Sequence, residues 1–430
     1  MLNIKTIRDN PERIKKACQD KQVNVDIDKL LTLDAQRRKL IQQNEILRAE
    51  HNQISKKIAS LRAEEKQKLI IQAKEMVNKI NQKDNDLAKI EIDFQKLMYS
   101  VPNPALSDVK VGKDESGNEV LSQWGKIPFS AEGGSASGGD FKPKDHLSLG
   151  EDLDLIDTQR TGKVSGTRFA YLKNELVLLE YGLVQFVIQT LIKKAFIPII
   201  PPVMIKKEPM KSMGYLERGE NEIYQTKKDN FYLVGTSEQS IGPMHTNEIL
   251  DKKDLPKRYV SFSTCFRREA GSYGKDVKGI LRLHQFDKVE MFSFCLPEKS
   301  TEEHKFILNL EEKLVQALKI PYQVIKMCTG DLGDPAASKY DIECWMPGQN
   351  KYRETHSTSN CTDFQARRLN IRFRDEQKRL EFVYTLNGTA FAIGRILIAI
   401  MENYQQKDGS IKVPKVLQKY TGIKQIKKKK

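Results

Sequence analysis

Between residues 29 and 98 the chain carries two heptad stripes, and no other feature so narrows what it can fold into. Leu33, Leu40, Leu47, Ile54 and Leu61 recur every seven residues, with the mostly polar Arg37, Asn44, His51 and Ile58 between them. After a charged patch from Arg62 to Lys68, a second stripe runs through Leu69, Ala73, Met76, Ile80, Leu87, Ile90, Phe94 and Leu97, with a gap at Lys83. Residues 29–98 contain no Gly and no Pro. A seven-residue apolar repeat lays one seam along a helix. The pattern therefore predicts two helices joined by a short polar turn, an antiparallel coiled-coil hairpin. By itself such a hairpin reads first as a dimerisation zipper or a piece of helical bundle. Its basic flank, Arg37, Arg38, Arg48, Lys56 and Lys57, also suits it to gripping a phosphate backbone.

Composition supports both uses. Charged residues make up 30% of the chain, which fits a long solvated helical part. Lys and Arg number 72 against 57 Asp and Glu, a formal charge of +15 that draws the protein towards polyanions. Six cysteines (Cys18, Cys265, Cys295, Cys328, Cys344 and Cys361) lie far apart, without a Cys-x-x-Cys pair. Reduced thiols and no structural zinc are expected. The start of the chain lacks the apolar core of a signal peptide, and no uninterrupted apolar run approaches ~20 residues. A soluble cytoplasmic protein with no membrane partner is the expectation.

From Val101 to about Gly150 the periodicity breaks, and Pro102, Pro104, Gly112, Gly117 and the Gly/Ser run over 132–139 read as a connector. Beyond it, residues 151–422 mix helices with alternating strands that come in adjacent pairs. This predicts an α+β domain built on an antiparallel sheet. Residues 423–430, ending in Lys427–Lys430, read as a basic tail. No Gly-x-Gly-x-x-Gly follows a strand and no Gly-Lys-Ser/Thr loop occurs, so neither a Rossmann nor a P-loop nucleotide site is supported.

Two segments carry the chemistry. In Tyr259–Glu269, strand alternation puts Phe262 and Phe266 on one face and Ser261, Ser263, Cys265, Arg267 and Glu269 on the other, the expected floor of a polar pocket. A loop from Gly271 to Gly279 and a strand from Leu281 to Phe292 follow; a paired-strand loop this long suggests function. The alternative is an ordinary Arg–Glu ion pair at a strand end. In the second segment, Val383–Thr389 leads into a helix apolar on nearly all sides, Ala390–Met401, with Arg395 alone inside it. A buried guanidinium without an anion costs several kcal/mol, so Arg395 needs either a carboxylate or a ligand phosphate.

Several blocks are similar to those of the seryl-tRNA synthetases, a class II aminoacyl-tRNA synthetase family. FRREAGSYGKDVKGILRLHQFDKVEM (266–291) resembles their motif 2, and LNGTAFAIGRILIAIMEN (386–403) their motif 3. LVGTSEQ (233–239) resembles the loop of their serine pocket, and RETHSTSNCTDFQARR (353–368) their acidic ATP/Mg segment. The order and spacing match, and the coiled-coil arm at the start matches as well.

The resemblance implies a homodimer with a class II catalytic domain and an N-terminal arm, residues 1–100, that binds tRNA. It implies activation of L-serine with ATP to seryl-adenylate, then transfer of the seryl group to the 3′ end of tRNA(Ser). Whether tRNA(Sec) is a second acceptor stays open. Carried over, Arg267 binds the α-phosphate and the serine carboxylate, and Arg395 holds the γ-phosphate side of ATP. Glu269 accepts from the adenine amino group, and Leu283 completes the ATP site. Glu354 and Ser357 hold Mg²⁺, whose hard-ligand preference they satisfy. Thr236, Ser237 and Glu238 orient the serine ammonium, while Glu290 and Thr389 take its hydroxyl. Read locally, Thr236-Ser237-Glu238 is also an ordinary helix N-cap. His284 and His356 are expected to be structural.

The chain departs from the family pattern in places. Ala195 stands where the turn of motif 1 usually has Gly, the segment Met210–Gly219 departs from Gly-Thr-Gly-Gln, and Thr389 replaces a common Ser. Two rivals share the fold: a paralogue that loads a carrier protein, and a non-catalytic binding protein. The arm argues against the first, and Arg267, Glu269, Glu290, Glu354 and Arg395 against the second.

Overall fold

The computed structural model describes residues 1–59, 62–128, 141–270, 276 and 278–428. They form two compact units, Met1–Pro102 and Asn103–Lys430. The Gly/Ser run over 132–139, most of the loop after Gly271, and the last two lysines lie outside the described residues.

The first unit opens with two short helices, Ile4–Asp9 and Pro11–Asp20, followed by α1 (Ile27–Ile58) and α2 (Ala63–Ser100). Asp26 caps α1 by accepting from the Lys29 amide at 2.8 Å. At the base, Ile7, Ile14, Leu30, Phe94 and Met98 close a small core. Further out, Leu33, Leu40, Leu47 and Ile54 are half-buried in the seam, each worth roughly 1 kcal/mol of apolar burial. The pairs Arg37–Glu91 and Asn44–Asp84 are nested about the turn, so the helices run antiparallel. The gap at Lys83 is closed by its ammonium, which donates to Gln43 Oε1 at 2.6 Å. The charged patch from Arg62 does not separate the helices, because α2 already begins at Ala63.

The second unit is built on eight strands: β1 (Glu119–Trp124), β2 (Phe196–Ile199), β3 (Lys257–Phe266), β4 (Gln285–Cys295), β5 (Tyr322–Lys326), β6 (Ser338–Met346), β7 (Lys351–Asn360) and β8 (Tyr384–Ala392). Their order across the sheet is β1-β5-β6-β7-β8-β4-β3-β2. Every neighbouring pair is antiparallel except β2 with β3. This is the α+β architecture, and three helices cover the sheet: α3 (Glu175–Ile192), α5 (Ser300–Ala317) and α6 (Ile393–Tyr404), with α4 (Lys207–Met213) beside the pocket. Leu179, Leu183, Val187, Leu314, Ile396 and Ile400 sit in one continuous core. By length and composition α3 is apolar enough to cross a membrane. Half of it is buried in this core, while Leu178 and Tyr181 remain 46% and 60% exposed.

Three boundaries differ from the sequence reading. The stretch 101–150 is not all connector: β1 pairs along β5, and His146–Asp152 is helical. The range 423–430 is not all tail, because Gln425–Ile426 pairs with Ile411–Lys412 and buries Ile426. β1 is exposed along its whole length and its residues do not alternate apolar with polar, while the Gln425–Ile426 pairing is too brief to show periodicity. The motif 3 helix begins at Ile393, since β8 runs on to Ala392. Arg395 therefore lies in the first turn, 22% exposed at its side chain, rather than inside an apolar rod. Ala195 takes φ +63°, the left-handed conformation that glycine adopts without strain.

Candidate active site

A pocket of about 340 Å³ opens on one face of the sheet, lined from β4, β6, β7, β8, the start of α6 and the segment that follows β3 from Arg267. Alternation along β4 aims Phe286, Lys288 and Glu290 into it. Cross-strand register sets Ser261 opposite Glu290 and Ser263 opposite Lys288, so the small polar face of β3 lies on the same side. On β8, Asn387 and Thr389 face the pocket, and Thr389 is in register with Glu290.

At one end stand Thr236, Glu238, Glu290, Thr389 and Tyr215. Thr389 Oγ1 donates to Glu290 Oε2 at 3.2 Å, and Lys288 Nζ lies 2.5 Å from the same oxygen. Thr236 Oγ1 is buried without a hydrogen-bond partner in the described structure. Burial, then the neighbouring Glu290 charge, pushes Glu238 up to about 7, against the pull of Tyr215, Lys288 and Arg267. Tyr215 donates to Glu238 Oε1.

At the other end are the arginines. Arg267 Nε donates to Gly235 O at 3.1 Å, and its guanidinium stacks 5.2 Å from the centre of the Phe286 ring. These contacts hold the fork flat without neutralising it. Arg395 lies 3.1 Å from Glu354 Oε1 and donates to the Glu354 carbonyl at 3.0 Å. Partial desolvation disfavours the Glu354 charge, although its side chain stays 45% exposed; Arg395, Lys339 and Arg267 outweigh it and hold the carboxyl down at about 2. Glu269 pairs with Arg282 at 2.6 Å rather than with its neighbour in sequence, and it lines the pocket with Leu283.

Glu354 and Ser357 are three residues apart, which on a regular strand puts them on opposite faces. Both nevertheless line the pocket. The register explains it: His356 faces Ile342 and Glu354 faces Glu343, so Thr355 is an extra residue, a β-bulge that resets the alternation. An ionised carboxylate and a hydroxyl on one face fit Mg²⁺, which binds through one or two protein oxygens plus substrate phosphates and water. Among the described residues no group of three or more His, Cys, Asp or Glu side chains is placed to hold a metal ion, so a dedicated all-protein cage is not what this site resembles.

Ser237 is the one candidate that the structure does not bring to the pocket. It is fully buried, and its hydroxyl meets Ser261 Oγ at 2.6 Å. Nor does it cap the following short helix, Glu238–Ile241, with its side chain. The tight turn that aims Thr236 and Glu238 inward turns the residue between them away. Sequence reasoning also passed over Tyr215, Phe286, Lys288 and Lys339, all of which line the pocket. Period-two alternation back from Glu290 would have found Lys288 and Phe286; nothing local marks Tyr215. His284 Nδ1 contacts the Arg267 carbonyl at 3.0 Å, and burial pushes His356 down to about 3, so that ring is neutral.

Comparison with known proteins agrees with this geometry. Residues 1–105 match the family model of the seryl-tRNA synthetase N-terminal domain, and residues 221–404 that of the tRNA synthetase class II core domain (G, H, P, S and T). The chain is 46% identical over 434 residues to a serine–tRNA ligase of Dictyoglomus thermophilum, covering 100% of both. The chain belongs to the seryl-tRNA synthetase family. Among solved structures, seryl-tRNA synthetase from Pyrococcus horikoshii complexed with ATP matches 100% of both chains with TM-score 0.91 at 42% identity. The cytoplasmic serine–tRNA ligase from Naegleria fowleri in complex with AMP matches with TM-score 0.84 at 32% identity, over 98% of this chain and 96% of that one. Seryl-tRNA synthetase membership accounts for both halves at once: a coiled-coil unit and a class II core in one chain.

Proposed function

We propose that this chain is a serine–tRNA ligase, which activates L-serine with ATP and transfers the seryl group to the 3′ end of tRNA(Ser). The observation that carries the reading is one pocket with an acidic, hydroxyl-bearing end and an arginine-bearing end. A small amino acid and a nucleotide triphosphate fit there end to end.

In this reading Thr236 Oγ1 and the Glu238 carboxylate take the α-ammonium, and the Glu290–Thr389 pair takes the side-chain hydroxyl. Arg267 spans the serine carboxylate and the α-phosphate, holding two repelling anions at reacting distance. Arg395 takes the γ-phosphate side, and Glu269 with Leu283 takes the adenine. Glu354 and Ser357 would hold Mg²⁺, which would supply positive charge to offset that of the ATP phosphates. The serine carboxylate attacks the α-phosphorus and pyrophosphate leaves; the terminal ribose hydroxyl of tRNA then displaces AMP from the adenylate. No side chain acts as a nucleophile, so catalysis is positioning and charge stabilisation. All six cysteines are buried, which suits work in the reducing cytoplasm.

The arm of residues 1–100 is read as a tRNA-binding domain. Its basic flank fits shape-based, phosphate-dominated recognition, so filter-binding affinity should fall steeply with salt. A homodimer is supported by an apolar surface around motif 1, where Tyr181, Ile197 and Ile200 are 60%, 46% and 89% exposed.

The test is serine-dependent exchange of labelled pyrophosphate into ATP, with alanine and threonine as comparison substrates. Exchange with serine, weaker by on the order of 10⁴ with alanine and lost in Arg267→Ala, is expected. Folded protein that gives no exchange with serine would overturn the reading.

A further inference from the structure

The acidic end of the pocket contains a contact made from outside the motif blocks. Gly214 terminates α4 in the left-handed region at φ +92°, and a Cβ there would crowd Pro335 Cγ at 3.1 Å. The chain turns sharply after it and sends Tyr215 into the pocket. This is the segment that departs from the family's Gly-Thr-Gly-Gln pattern, reading Gly214-Tyr215-Leu216-Glu217. The phenol reaches Glu238 Oε1, to which it donates.

Glu238 is only 3% exposed, and it forms no ion pair among the described residues. A buried carboxylate with two equivalent oxygens can turn about its last bond. A donor fixed on one oxygen removes that freedom and leaves the other oxygen as the acceptor that faces the cavity. The unpartnered Thr236 Oγ1 lies at the same end.

We propose that Tyr215 is a positioning residue that sets selectivity for the substrate ammonium: its hydroxyl fixes one oxygen of Glu238 so that the other meets the charged amine. The inference rests on the serine-binding reading above and names the residue that orients its ammonium acceptor. The electrostatics agree. Burial and Glu290, from β4, favour protonated Glu238, whereas the Tyr215 hydrogen bond, Lys288 of β4 and Arg267 favour the carboxylate. The Tyr215 phenol, with Glu238 and Cys361 nearby, keeps its own proton because burial pushes its ionisation well up. It remains a donor throughout the working pH range.

The experiment is the pH dependence of serine-dependent pyrophosphate exchange in the full chain. It compares wild type with Tyr215→Phe, which keeps the ring, with Glu238→Gln, and with the double variant. In Tyr215→Phe the KM for serine should rise about tenfold while the KM for ATP stays unchanged, the size of one hydrogen bond to a charged group. The acid limb of kcat/KM for serine should move to higher pH, because a donor that favoured the carboxylate is gone. In the Glu238→Gln background the same substitution should have no further effect. Active wild type with an unmoved KM and acid limb in Tyr215→Phe overturns the inference alone. So does an equal loss in the Glu238→Gln background, which would make the tyrosine a packing residue. Wild type without serine-dependent exchange removes the functional reading and this inference together.

Discussion

Arg395 grips Glu354 twice, its guanidinium lying 3.1 Å from Oε1 and donating to the carbonyl oxygen at 3.0 Å. The contact joins the first turn of α6 to β7 across the mouth of the pocket. It answers the question posed by a cation in an apolar helix: Arg395 has a carboxylate partner and still faces the space where phosphates would lie. Removing it takes away the proposed phosphate ligand and the largest of the positive charges that lower the Glu354 carboxyl, with Lys339 and Arg267 left beside it. Arg395→Ala should lower exchange by on the order of a hundredfold or more and raise the KM for ATP. Arg395→Lys should recover little, because both Glu354 contacts come from one terminal nitrogen and an ammonium has no second one left to reach a phosphate.

Glu238 makes serine use pH-dependent. Its carboxyl is raised to about 7 in the free protein, by burial first and by Glu290 second. In the proposed site the ammonium needs the carboxylate, so protons should compete with serine. The kcat/KM for serine should be level above about pH 7 and fall roughly tenfold per pH unit below it, with ATP binding less affected. A profile flat between pH 5 and 8 (on the order of those limits) would count against Glu238 as the ammonium acceptor.

Gly388 lies behind the pocket floor, in register with Thr358 and against α5. A Cβ there would sit 2.4 Å from Ile307 Cγ2 and 2.8 Å from Glu311 Oε1. Gly388→Ala should cost about 1–3 kcal/mol and push Asn387 and Thr389 out of place. A lowered melting temperature with a raised KM for serine checks it.

Glu311 is fully buried, and neither of its oxygens has a hydrogen-bond partner in the described structure. Burial first, then Glu290 and Asp341, raises its carboxyl well above the ordinary value. The folded state therefore holds a proton that the unfolded chain releases above about pH 4.5. The sign follows: stability falls as pH rises, by up to roughly 1.4 kcal/mol per unit from this group. Glu311→Gln has no such slope, so its melting temperature relative to wild type should climb with pH. A constant difference would show that Glu311 ionises normally.

Ala195 holds φ +63° in the turn before β2, between Ile192, whose carbonyl accepts from its amide at 3.1 Å, and Phe196. A Cβ in the left-handed region is strained, so Ala195→Gly should stabilise the protein by about 1 kcal/mol. Thermal melting of the two proteins checks this.

Much of the fold was legible from local pattern. The heptads of Leu33–Ile54 and Leu69–Leu97 became the seams of α1 and α2 because a seven-residue repeat has only one helical solution. The alternation Ser261, Ser263, Cys265 became the pocket side of β3 for the same kind of reason. The pairings of Glu119–Trp124 and Gln425–Ile426 were not legible: the first is exposed throughout and does not alternate, and the second has only two residues.

What the sequence determined by itself was the residue chemistry and its periodicity: two coiled-coil helices, a polar strand face, and a set of carboxylates, hydroxyls and arginines resembling one family. What only the tertiary structure decided was which way those side chains point. The extra residue at Thr355 brings Glu354 and Ser357 to one face. The turn at Thr236–Glu238 sends Ser237 to Ser261, and the left-handed Gly214 sends Tyr215 to Glu238. Periodicity is a property of neighbours along the chain. A bulge or a sharp turn is set by hydrogen bonds to distant strands, and one such residue reverses the face of every side chain beyond it.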